Sequence, residues 1–82
     1  LNNNNNNIDE GIIKTAITCL PKEIDINTWY EWTNKISKET NIKGKKLYLS
    51  LRLKLTGMEK GPEMNLILPL LKRQKILERL NN

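Results

Sequence analysis

The sequence contains no histidine, no phenylalanine and only one cysteine in 82 residues. Without histidine the commonest general base near neutral pH is missing, together with every Ser-His and Cys-His nucleophile pair. The lone thiol, Cys19, cannot close an internal disulfide, and a zinc site would have to come from carboxylates alone. No disulfide partner and no structural metal are expected. Cys19 sits beside Leu20 in an apolar pattern, which reads as packing before reactivity. No apolar run approaches the roughly 20 residues of a membrane helix, and the start of the chain lacks the basic-then-apolar order of a signal peptide. The expectation is a chain that is neither secreted nor membrane-spanning and works in the cytoplasm. Its length suits one small domain and excludes a self-contained enzyme of the large α/β designs; a core of this size covers only roughly 60–65% of the unfolded chain's surface.

What is present is charge, unevenly placed. Residues 1–41 carry four lysines against six acids, whereas residues 42–82 carry ten Lys/Arg against three acids, within a net +5. A basic half attracts polyanions, nucleic acid foremost. The plain alternative is a solvated lysine face.

Residues 2–7 are an asparagine tract without apolar content, so the expectation is a disordered segment over 1–7 and a helical domain over 8–82. Opening on a bare leucine and this tract, the chain reads as a fragment of something longer. Apolar residues at Ile8, Ile12, Ile13, Ala16, Ile17 and Leu20 have the one-sided spacing of a helix, closed by Pro21. Thr28 and Glu31 have capping-box spacing ahead of a second helix over 28–40, with Trp29, Trp32 and Ile36 on one stripe. Leucines at 47, 49, 51, 53 and 55 alternate like a strand. Leucine nonetheless favours helix, and Gly44 and Gly57 stand where a helix enters and stops. Gly61-Pro62 followed by Glu63 marks a fourth helix, with Gly61 as cap and Pro62 as its first residue, running to Leu68 and interrupted at Pro69; a last helix covers 72–80. The fold class expected is all-α, a compact bundle of about five short helices.

The run GKKLYLSLRLKLTGMEKGPEMNLILPLLKRQKILERL, residues 44–80, resembles the C-terminal end of bacterial and organellar glutamyl-tRNA synthetases, which are class I enzymes. Members end with G-K-x-L-F/Y-x-x-L-R-x-x-L-T-G, a G-P-E-L/M turn and an L-L-P-L-L/I stretch leading into a final helix. Trp29 and Trp32, followed by Ile36, Lys38 and Glu39, also resemble the helix preceding that segment. The resemblance spans about residues 8–80 and makes the leucine-rich segment a helix of an anticodon-binding cage. Two departures stand out: Ser50 where a proline is common and Lys72 where a glycine is usual. They bear on the start of the leucine-rich helix and on the turn before the last one.

Arg52 is the first candidate. On a helical wheel it falls between Tyr48 and Leu49, so its planar fork leaves an apolar neighbourhood, from which it can stack on an unpaired base or bond its edge. The bland alternative is an arginine bonding helix-end carbonyls. By resemblance, Arg52 contacts an anticodon base, and Gly61, Pro62 and Met64 supply main-chain and apolar contacts. Lys43, Lys45, Lys46, Lys54 and Lys60 bracket that turn and suit loop phosphates. Trp29, Trp32 and Tyr48 read as core packing ahead of stacking platforms.

Class I nucleotide-binding signatures and Gly-rich phosphate cradles are absent, so no catalytic residue and no cofactor are expected in these residues. The resemblance implies a parent glutamate–tRNA ligase that uses ATP and Mg and acts as a monomer. Its partner is tRNA(Glu), with tRNA(Gln) in addition for members that charge both. The rival reading is a non-catalytic basic helical module for another polyanion or a protein partner.

Overall fold

The computed structural model describes residues 8–82, which form four α-helices: α1 (Glu10–Cys19), α2 (Thr28–Thr40), α3 (Lys45–Thr56) and α4 (Met64–Leu80). The asparagine tract, expected to be disordered, lies outside the described residues. Every pair of helices is in contact, so the all-α bundle expected from the sequence is the fold.

Helix α1 starts one residue after Asp9, whose carboxylate accepts the main-chain N–H groups of Gly11 at 2.8 Å and Ile12 at 3.2 Å. Its buried stripe, Ile12, Ile13 and Ala16, meets α2 through Trp32, whose indole N–H donates to the carbonyl of Ala16 at 3.0 Å. That bond lets a large aromatic be buried without stranding its donor. The capping box expected of Thr28 and Glu31 does not form. Asn27 is the N-cap residue, and Thr28 turns inward, where its hydroxyl accepts the Asp25 N–H at 2.8 Å.

The alternating leucines wind as a helix. Leu47, Leu51 and Leu55 are buried one turn apart, while Leu49 and Leu53 are half-buried. Ser50, buried between them, accepts the Asp9 N–H at 3.1 Å. A proline in its place would leave that donor unpaired, which gives the departure from the family pattern a structural use.

The two helices expected over 62–80 are present as two helical stretches, 64–71 and 73–80, joined at a kink within α4, and only their boundaries differ from expectation. Pro62 and Glu63 lie outside α4, which begins at Met64 with Glu63 as its N-cap residue, two positions later than expected. Pro69 is tolerated inside the helix. The break comes instead at Lys72, with φ 68° and ψ 160°, and helical geometry resumes beyond it. This is the position where the family pattern carries glycine, and the backbone there is one that L side chains rarely adopt.

Candidate nucleic-acid interface

The spacing L-R-x-x-L-T-G followed by G-P-E has a local physical reason. Thr56, one turn after Arg52, donates its hydroxyl to the Arg52 carbonyl at 2.8 Å and accepts the Met58 N–H at 3.0 Å. Gly57 ends α3 in the left-handed region, φ 76°, with its N–H on the Leu53 carbonyl at 2.8 Å. Together they fold the chain back over its own helix. The fold-back brings Gly61 over the guanidinium: a Cβ built there would lie 2.7 Å from Arg52 Nη2. A side chain there would have to displace the guanidinium, and Gly61 has a φ of 154°, which L residues rarely adopt.

Arg52 is unlike the other two arginines. Arg73 Nε donates to the Pro21 carbonyl at 2.9 Å, and Arg79 Nη1 donates to the Leu55 carbonyl at 2.6 Å, where it satisfies an end of α3. Nε and Nη2 of Arg52 are shielded from solvent and, among the described residues, donate to no acceptor. A shielded cationic donor without an acceptor is costly, typically about 1–3 kcal/mol per lost partner, so a native structure that keeps two of them calls for an explanation.

These donors border an open groove of about 610 Å³ lined by Trp29, Tyr30, Tyr48, Leu49 and Met64, with Lys45, Asn65, Glu59 and Glu63 around them. The expectation that Trp29, Trp32 and Tyr48 are core holds for Trp32, which is buried, and for Trp29, which is half-buried and packs against the core, but not for Tyr48. Tyr48 is 48% exposed and lies 6.0 Å, centroid to centroid, from Trp29, which itself packs edge-on to Trp32 at 6.3 Å. Tyr30, which the sequence reading did not single out, is 56% exposed on the same groove. Its signal was weak: it falls one residue off the Trp29–Trp32 stripe, facing outward.

Of the residues expected in the site, the structure brings together Arg52, Gly61, Met64 and Lys45. Pro62 is exposed on the same bend. Lys45, Lys46 and Lys60 share an adjoining depression with Asp9 and Glu59, in which Lys46 Nζ stands 3.6 Å from Asp9. Lys43 lies in a separate hollow on the other side of Tyr48. Lys54 is not brought to the groove; its amino group donates to the carbonyl of Asn82 beyond the end of α4.

Electrostatically the groove and the adjoining depression, a strip holding Lys45, Lys46 and Lys60, differ. In the groove two carboxylates face two cations, so it suits neutral base edges, with their mixed donors and acceptors, better than phosphate. The strip sets three lysines against Asp9 and Glu59, a surplus of one positive charge, and opens on the first turn of α3, which has two lysines, no acid and no side-chain cap. Lysines there oppose the helix dipole unless an anion accompanies them. The first turn of α4, also uncapped, contributes Met64 and Asn65 to the groove. Among the described residues no three His, Cys, Asp or Glu side chains converge as metal ligands.

Comparisons with known proteins place the chain among relatives. Glutamate–tRNA ligase 1 of Rickettsia bellii is 51% identical over 75 residues, covering 90% of this chain and 17% of the relative. Glutamate–tRNA ligase 2 of Rickettsia canadensis is 48% identical, and glutamate–tRNA ligase 1 of Rickettsia prowazekii 47%, each over 93% of this chain and 17% of the relative. The chain therefore spans about a sixth of the length of the curated relatives it matches. No solved structure matches it. A family model described as an anticodon binding domain matches residues 3–82, and with nearly the whole sequence so covered, the chain belongs to the anticodon binding domain family.

Proposed function

We propose that residues 8–82 are the C-terminal anticodon-binding domain of a glutamate–tRNA ligase, and that their task is to read the anticodon loop of tRNA(Glu). The parent enzyme, a cytoplasmic monomer, joins glutamate to that tRNA with ATP and Mg bound elsewhere in its chain. The observation that carries the reading is the pair of shielded, unpartnered donors on Arg52 beneath Gly61, at the edge of an aromatic groove. Bases splayed from a single-stranded loop supply what those donors lack, an acceptor edge to bond and a flat face to stack on Tyr48. Gly61 and Pro62 let the backbone approach the loop closely, and Met64 adds apolar contact. Lys43, Lys45, Lys46 and Lys60 then hold loop phosphates, which gives affinity without sequence information.

Discrimination follows from the same geometry. A base whose edge presents no acceptor leaves the guanidinium as unpaired as it is in the free domain, and such a loss discriminates more strongly than a missing apolar contact. The domain thereby orients the acceptor end of a correct tRNA towards the remote active site. Whether the parent also charges tRNA(Gln) depends on how the groove treats the anticodon position at which the two differ.

The direct test is Arg52→Ala in the full-length enzyme. Charging efficiency and tRNA affinity should both fall by roughly tenfold or more, the equivalent of one charged hydrogen bond. A change within about twofold would remove Arg52 from the interface. The generic-polyanion alternative is separated by titrating cognate anticodon stem-loop, a scrambled loop and duplex DNA at two salt concentrations. Cognate preference at both salts supports anticodon reading, and equal binding of all three supports the alternative.

A further inference from the structure

The first half of α4 has a composition that its neighbours in this chain do not explain. From Met64 to Leu71 it contains no charged residue, and Asn65 is its one polar side chain. A helix that is apolar on every side belongs inside a protein. One side is accounted for: Met64 and Leu68 are buried in the core, and Ile67 and Leu71 pack against it. The opposite side is not. Leu66 and Leu70, one turn apart, are 54% and 81% exposed, with Pro69 half-buried beside them. Single exposed leucines are ordinary on protein surfaces. Two stacked leucines on a helix free of charge form a continuous apolar ridge.

We propose that this ridge seats another segment of the same polypeptide, the remainder of the ligase; the inference rests on the function proposed above. Three observations select that occupant. The relatives extend far beyond the matched region, which makes up only 17% of the length of the Rickettsia bellii ligase, so ample polypeptide is available to cover the ridge. The ridge offers no cation, whereas the lysine strip and Arg52 lie on α3 and its following bend, so RNA has no electrostatic reason to sit on it. A second copy is disfavoured by size. Two leucines and a proline are far short of the roughly 800 Å² per partner that a stable free association buries. A segment tethered in the same chain needs much less area, because its effective concentration is already in the millimolar range.

The test uses the full-length ligase with a photo-reactive residue, Leu70→p-benzoylphenylalanine, and the same residue at exposed Lys75 as control. Irradiation should give an intramolecular cross-link mapping outside these 82 residues, in about tenfold greater yield than the control. A cross-link to a second copy, seen as doubled mass, to bound tRNA, or none above control would overturn the proposal. Leu70→Asp in the same protein should accelerate hydrogen exchange in the cross-linked segment; unchanged protection there would also overturn it. Charging of tRNA by the unsubstituted enzyme is assayed separately. If charging fails while the cross-link stays within the chain, the ligase reading falls and the docking surface stands.

Discussion

Arg52 separates two roles that a single affinity measurement would confuse. An arginine that holds the Gly61 bend in place stabilises the fold, and its loss destabilises it. An arginine kept with shielded, unpartnered donors for an incoming base burdens the free domain, because desolvated N–H groups are a net cost until an acceptor arrives. The two roles predict opposite signs for Arg52→Met, which keeps the apolar stem and removes the donors. If the donors await RNA, thermal stability should stay within about 1 kcal/mol of wild type or rise, while affinity for the cognate stem-loop falls roughly tenfold to hundredfold. Paired thermal melts and binding titrations check this. A stability loss of more than about 2 kcal/mol would assign the side chain to holding the bend.

At the scale of the element, α4 shows which constraint wins when two meet. Pro69 removes one helical hydrogen bond and crowds the preceding turn, yet the helix runs through it, because the residues on both sides bury Leu68 and pack Leu71 against the core. The chain turns instead at Lys72, whose φ of 68° with ψ of 160° lies in a region nearly reserved for glycine. Lys72→Gly should therefore stabilise the domain by about 1 kcal/mol, the relieved strain of about 1–3 kcal/mol being partly offset by glycine's larger unfolded-state entropy. In a calorimetric melt that is a rise of about 4–8 °C. No rise would mean that the surrounding contacts hold the kink without strain.

The same element marks what the sequence made legible. Helix identity was readable, even in the alternating leucines, because leucine propensity and flanking glycines outweighed a period-two pattern whose Leu49 and Leu53 are only half-buried. Boundaries were less so. Gly-Pro-Glu looked like a helix start, but close approach of Gly61 to Arg52 draws those residues into the bend and delays α4 to Met64. The contact between Arg52 and Gly61 depends on a fold-back fixed by Thr56 and Gly57, nine residues of chain that no periodicity describes. Tyr30 and Tyr48 were hidden for a related reason. Aromatic residues at helical spacing look alike whether they face the core or a groove, and only the docking of α2 beside α3 decides which.

Across the whole molecule, affinity and specificity occupy different surfaces. The groove balances Lys45 and Arg52 against Glu59 and Glu63, while the surplus positive charge lies in the adjoining strip and in the hollow holding Lys43. Among the described residues Lys43, Lys45 and Lys60 make no ion pair, whereas Lys46 faces Asp9. If those three lysines each displace a counterion from loop phosphates, replacing them together by glutamine removes about 0.7 of a unit per lysine from the slope of log affinity against log salt. The triple variant should thus bind more weakly at low salt, with a slope shallower by about 2, and converge on the wild type as salt rises. Its preference for cognate over scrambled loop should stay within about twofold of wild type, because phosphate contacts carry no sequence information. Stem-loop titrations at several salt concentrations measure both quantities. A preference that collapsed with the slope would mean that the lysines help to read bases, and the division of labour between groove and strip would be lost.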